Sequence, residues 1–273
     1  MRKLIVAMLL LLAAPASAEP YRLIQARSGR QAHGGNLELG LRYQGLIDGE
    51  GGDGEPIPDN FHQIAGTLRW GVFDRLELEA EASMIVWHHI GDPHADVDPG
   101  DIKLGGQVQL IREYPHILAT YIGFTFPTAP SNPALPPQFA DGTFDVEALL
   151  IYEVDPSRFV RLIFNVGWEF LGKYKDIDFD VPDAFRYDAA IALHPTSRLQ
   201  FSLELNGRYH TDRVITPIWV NNQSILELTP GLRIEITPRW VFEGGAGIAL
   251  NDDTRAMYKV HILAGVTYEF PIY

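Results

Sequence analysis

Three glutamates spaced two apart, Glu77, Glu79 and Glu81, form the densest chemical feature of this sequence. On a strand, residues two apart share a face and stand about 7 Å from each other, so the three carboxylates would make one negative stripe. At an effective dielectric near 20 each adjacent pair repels by roughly 2 kcal/mol, so the stripe needs water or neighbouring cations. Cations occur at the same parity elsewhere: Arg42, Arg69, Lys103, Arg161 and Arg233. Further acids follow it too, namely Asp101, Glu147, Glu153, Glu169, Glu235 and Glu243. Symmetric folding of the short hairpins sets Arg69 opposite Glu77, Glu153 opposite Arg161 and Arg233 opposite Glu243, so opposite charges meet across strands. All of these residues are expected to line a pore. An acid excess there would favour cations or polar neutral solutes. Mutual cancellation would instead leave a narrow, obstructed bore.

Other chemistry is sparser. The stretch Trp87 to Asp98 gathers His88, His89 and His94 with three aspartates, a composition that could take zinc or calcium but has no recognised ligand spacing. It reads first as a polar loop, and no cofactor is expected. A barrel hydrolase would need a serine beside a histidine on one face. Ser83 and Ser202 fall on the polar face without a histidine at neighbouring spacing, and no G-x-S-x-G or H-E-x-x-H occurs. The chain is therefore not expected to be an enzyme. The absence of cysteine excludes disulfides, Cys-ligated metal and a thiol nucleophile.

These side chains need strands to position them. Period-two alternation recurs in about twelve segments: 37–43, 64–72, 76–86, 102–110, 118–126, 144–154, 160–170, 185–193, 199–209, 226–236, 240–250 and 258–270. Each is near the 9–11 residues that cross a bilayer when tilted. Short connections such as Phe73-Asp74-Arg75 and Thr237-Pro238-Arg239 alternate with long ones rich in glycine, proline and acid, such as 47–60 and 127–142. The second face of each segment is apolar and uncharged, with aromatics gathered toward its ends. Trp70, Tyr152, Trp240 and Tyr268 would sit at the turn end, and Trp87, Phe124, Trp168 and Tyr258 at the loop end. Together these features predict an all-β fold, a transmembrane up-and-down antiparallel β-barrel of about 12 strands over residues 36–273.

The 273-residue composition, 46% hydrophobic with a mean hydropathy close to zero, fits that average of two faces. Residues 1–18, with Arg2 and Lys3, an apolar run and Ala16-Ser17-Ala18, read as a cleaved signal peptide. Cleavage would take the formal charge from −13 to −15. Nucleic acid is excluded as a partner by that acidity. Residues 19–35, carrying Arg22, Arg27, Arg30 and His33, are expected to be a periplasmic tail or a plug folded into the acidic lumen. The expected location is the outer membrane of a Gram-negative envelope, with both termini periplasmic. The expected partners are the lipid bilayer, lipopolysaccharide, the outer-membrane assembly machinery and small-molecule solutes.

Residues 99–105 read P-G-D-I-K-L-G, and the next segment closes on F-P-T-A at 126–129. This pairing resembles the family labelled MetA-pathway of phenol degradation, although Ala129 stands where that family more often has glycine. The resemblance implies an outer-membrane barrel that transports aromatic or other hydrophobic compounds. The C-terminal Y-E-F-P-I-Y resembles a barrel-assembly signal whose alternation Pro271 interrupts. Three functions are therefore weighed: a passive channel or transporter, a non-conducting scaffold or surface-binding barrel, and, last, a hydrolase.

Overall fold

A computed structural model of the protein describes residues 25–30, 32, 34–47, 59–89, 95–129, 142–173, 182–214 and 222–271. It contains twelve strands: β1 (Asn36–Ile47), β2 (Asp59–Phe73), β3 (Leu76–His89), β4 (Ala95–Glu113), β5 (His116–Phe126) and β6 (Asp145–Ser157), followed by β7 (Val160–Phe170), β8 (Ala184–Thr196), β9 (Leu199–Val214), β10 (Asn222–Thr237), β11 (Trp240–Ala249) and β12 (Val260–Pro271). One short helix, α1 (Asp252–Met257), stands between β11 and β12. Each strand pairs antiparallel with its sequence neighbours, and β12 pairs with β1, so the sheet closes into a barrel without an edge.

The two faces are inverted relative to a soluble protein. Leu39, Leu41, Leu68, Ile122, Leu150, Phe164, Leu203 and Phe242 point outward and are exposed. Their strand neighbours Glu38, Arg69, Glu153, Asn165, Glu204 and Glu227 are buried. Among the described residues, outward strand positions away from the turns carry no ionised side chain. An arginine or lysine at the centre of such a face would cost about 2–4 kcal/mol in a bilayer. Aromatic contacts cluster at strand ends, as in Trp240 with Tyr268 and Phe126 with Phe144. Tyr258 is a correction. It follows α1, is 2% exposed and packs inside the barrel instead of joining the outer girdle.

The expected twelve segments coincide with the strands, most of which run further at one end or both. Register differs in the hairpins because all five short turns close through a bulge, the first between Gly71 and Phe73. A bulge adds a residue to one strand and shifts the pairing beyond it. Arg69 consequently faces Glu79, not Glu77. Glu153 faces Ile163, not Arg161. Arg233 faces Glu243 as symmetric folding requires. Three of these turns are tied by a hydroxyl two residues upstream of an amide: Ser157 accepts from Phe159, Thr196 from Arg198 and Thr237 from Arg239.

Candidate functional site: the barrel lumen

The inward strand positions bring acids and cations together across the bore. Arg69 donates to Glu79 at 2.7 Å and lies 3.8 Å from Glu38. Arg42 reaches Glu81 at 3.9 Å, and Glu81 is registered opposite Lys103. Arg161 lies 2.9 Å from both Glu153 and Asp155, a pair made along the turn instead of across the ladder. Arg186 joins Glu147, Asp188 and Glu169, and Arg208 holds Glu169 from the next strand at 2.7 Å. Glu235 and Glu243 face inward near the turn end of β10 and β11. The Glu77–Glu81 row is therefore cross-linked to cations, which offsets much of its self-repulsion.

A second chain segment shares this space. Before β1, Gly35 adopts φ 83°, a conformation that side chains resist, and its N–H bonds Gly71 O at 2.7 Å. From that turn inward, residues 25–30 and 32 lie inside the barrel. Ala32 N–H donates to Glu77 at 2.7 Å. Ser28 and Gly29 both donate to Glu153, at 2.7 and 3.2 Å, and Arg30 joins Glu153 at 2.6 Å and Asp155. Arg27 forms a two-point pair with Glu79 at 2.7 and 3.2 Å. The backbone N–H groups of Gln25 and Ala26 both reach Glu204 at 2.9 Å, and the Gln25 amide reaches Glu227 and Thr229. The wall also donates back, through Gln107 to Ser28 O at 3.1 Å and Gln109 to Gly29 O at 2.8 Å. Carboxylates from β3, β6, β9 and β10 thus grip one segment, each through charge-assisted bonds.

Tyr121 completes that grip and was not among the expected site residues. The Arg27 guanidinium lies 3.5 Å from its ring centroid, a cation–π distance. The ring can lie flat against the wall because Gly105 and Gly123, paired across β4 and β5, leave it room. A Cβ on either glycine would run into the Tyr121 ring. The sequence signal was there, two inward glycines flanking the tyrosine position, but it reads only as weakened strand until the register is known.

Asp101 faces inward, yet its carboxylate is committed to the backbone. It accepts from Thr128 N at 3.0 Å, Ala129 N at 2.9 Å and Gly142 N at 3.2 Å. Thr128 in turn donates its hydroxyl to Gly100 O at 2.9 Å. The P-G-D and F-P-T-A motifs therefore meet in space and clamp both ends of the 130–141 excursion. At this same barrel end Leu46, Phe61, Ile85, Ala129, Ile225, Met257 and Tyr258 form one buried apolar cluster inside the wall. Helix α1 delivers Met257 and Tyr258 to it, capped by Asn251, which accepts from Thr254 N at 3.1 Å.

A cavity of about 260 Å³ occupies the lumen, with Gln25–Ser28 on one side and the cluster members Ile225 and Tyr258 also on its wall. Arg42, Glu81, Lys103 and Glu147 line it, joined by Glu227 and His261. Ser83 accepts from Gln63 at 2.9 Å, and Ser202 donates to Glu204 at 3.0 Å. The His88, His89 and His94 side chains lie outside the described residues, as do residues 19–24 and His33. Among the described residues no three histidines or carboxylates are placed to hold a metal ion.

A family model described as "Putative MetA-pathway of phenol degradation" matches residues 70–261. Among curated proteins nothing matches. The fold is similar to that of the COG4313 outer membrane channel from Pseudomonas putida F1, with a TM-score of 0.71 at 13% identity over 91% of this chain and 100% of that one. It is also similar to the KdgM porin, with a TM-score of 0.55 at 9% identity over 85% of this chain and 99% of the other. The NanC porin gives the same TM-score of 0.55 at 9% identity, over 85% and 98% of the two chains.

Proposed function

The chain belongs to the MetA-pathway of phenol degradation family, and from that membership and the lumen geometry we propose that it is an outer-membrane channel, closed at rest by its own N-terminal segment. Its solutes are small molecules, aromatic compounds among them. The carrying observation is the seating of Gln25–Arg30 and Ala32 on Glu77, Glu79, Glu153 and Glu204, the carboxylates that otherwise face the bore. None of the segment's bonds to these carboxylates is part of the strand ladder, so it can leave without unpairing the barrel. The uncharged outward face supports residence in a bilayer, and the likeness to the outer membrane channel and the two porins is consistent with passage of solutes. Export through cleavage after Ala18, and contact with lipopolysaccharide and the assembly machinery, belong to the same reading.

With the segment withdrawn, the acid-rich wall would favour cations and polar or uncharged solutes over anions. Planar-bilayer recording tests this. Deletion of residues 19–34 is expected to raise conductance and give cation-selective steps, which weaken when Glu77, Glu79 and Glu81 are replaced by glutamine. A correctly inserted deletion variant with unchanged conductance would refute the plug. A silent barrel in every variant would favour the second reading, a non-conducting envelope scaffold, which the cross-linked lumen supports.

A further inference from the structure

We infer that the place Arg27 occupies is a binding site for a small solute carrying a guanidinium group, and that such a solute and the N-terminal segment exclude one another. The inference deepens the channel reading and rests on it, since the site is vacated only when the segment leaves the lumen. In the closed state Arg27 fills the site as a ligand tethered to the chain. Its guanidinium meets both oxygens of Glu79, at 2.7 Å to Oε1 and 3.2 Å to Oε2, and lies 3.5 Å from the centroid of the Tyr121 ring. A planar cation can stack on an aromatic face while two of its N–H groups meet a carboxylate. An ammonium group has neither the plane nor the fork.

The wall builds the rest of the site, so it outlasts the departure of Arg27. Arg69 Nε holds Glu79 Oε2 at 2.7 Å, and Tyr121 lies where Gly105 and Gly123 leave its ring room. Oε1 has no such support: among the described residues it accepts from Arg27 alone. Arg69 is already shared with Glu38, 3.8 Å away. Withdrawal of the segment therefore uncovers a carboxylate oxygen without a protein donor beside a bare ring face. Arg27, Glu79 and Tyr121 all line the cavity of about 260 Å³, and the Arg27 side chain keeps 21% exposure, so a solute in the lumen adjoins the occupied site. The cations on the same wall, Arg42, Arg186 and Arg208, reach the wall carboxylates Glu81, Glu147 and Glu169. Glu79 instead takes one partner from outside the strand ladder.

The test sets propylguanidinium, which copies the Arg27 side chain, against butylammonium, an equal charge on a chain of similar length. In single-channel recordings of the Δ19–34 protein, propylguanidinium is expected to interrupt the current at a half-blocking concentration about ten-fold below that of butylammonium, the value of one further charge-assisted bond. Glu79→Gln is expected to remove this preference, Tyr121→Leu to reduce it, and Tyr121→Phe, which keeps the ring face, to retain it. Heat-modifiable migration on gels checks that each barrel is folded. Equal block by the two cations overturns the inference while leaving the channel standing. A second measurement reads the exclusion in the full mature chain. The sequence has no cysteine, so Ser28→Cys gives a single thiol that a maleimide reaches when the segment leaves. At ten times the half-blocking concentration, propylguanidinium is expected to speed labelling about ten-fold, and butylammonium at that same concentration about two-fold. Labelling that propylguanidinium does not speed overturns the inference. If the Δ19–34 protein conducts nothing, the channel reading fails, and calorimetry of propylguanidinium on that folded barrel decides the site separately. Binding heat that Glu79→Gln removes supports it, and heat that is absent or unchanged overturns it.

Discussion

Replacement of Arg27 by glutamine isolates one charged hold on the N-terminal segment. The wild-type side chain makes two bonds to Glu79, at 2.7 and 3.2 Å, and covers the Tyr121 ring at 3.5 Å. A charged hydrogen bond contributes about 1.5–3 kcal/mol net, and a partly exposed cation–π contact about 0.5–1 kcal/mol. Glutamine keeps one donor and some of the stem packing, so the loss is about 2 kcal/mol. Glu79 is not orphaned by the change, because Arg69 Nε remains 2.7 Å away. The perturbation therefore acts on the seated segment and not on the wall. A loss of about 2 kcal/mol multiplies the ratio of open to closed channels by roughly 30. Single-channel recording of the full chain reads this as longer and more frequent openings, with unit conductance equal to that of the Δ19–34 protein. An unaltered open probability in Arg27→Gln, beside an open Δ19–34 channel, would refute Arg27 as the anchor. Openings of a smaller unit conductance would show that the segment shifts within the lumen without leaving it, and would refute the single-latch reasoning as well.

Gly105→Ala should shift the channel in the same direction as Arg27→Gln but less, because its Cβ displaces the Tyr121 ring while both ion-pair partners stay; single-channel recording should show a rise of about two- to five-fold in the ratio of open to closed channels, the value of the cation–π contact alone. Asp101→Ala removes the acceptor shared by three backbone amides. It should speed proteolytic cleavage within 130–141 while the barrel keeps its folded gel mobility. Leu150→Arg places a charge at an outward position midway along β6, where Leu150 is 46% exposed. Folding stability in lipid vesicles, followed by urea titration, should fall by about 2–4 kcal/mol.

The strands were legible because each face imposes its own residue types over ten or more positions, as in Leu76 to Val86. The charge pairing was legible only in part. Parity placed Arg69 and Glu79 on one face, but the choice of Glu77 or Glu79 as partner depends on a bulge that leaves no trace in hydrophobic periodicity. Arg161 and Glu153 do meet, through the reach of a long guanidinium and not through register. Tyr258 was misassigned because alternation carries through 258–262 without a break, while the turn of helix before it points the ring inward. Residues 25–30 and 32 have no period to read, since their positions are set by distant carboxylates, and basic composition alone favours a tail over a plug. Asp101 illustrates the opposite case: its parity is right, but the amides that occupy it lie 27, 28 and 41 positions away.

That clamp has a consequence for how such a chain can diversify. Because one carboxylate fastens Thr128, Ala129 and Gly142 together, the loop leaves and re-enters the barrel at a fixed base. Lengthening a loop whose ends are already joined costs little extra closure entropy. Residues 130–141 can thus be exchanged, extended or shortened as an independent cassette while β4, β5 and β6 keep their pairing. Variation at this end of the barrel is thereby uncoupled from the precision that the wall requires, and a single aspartate marks the boundary between the two.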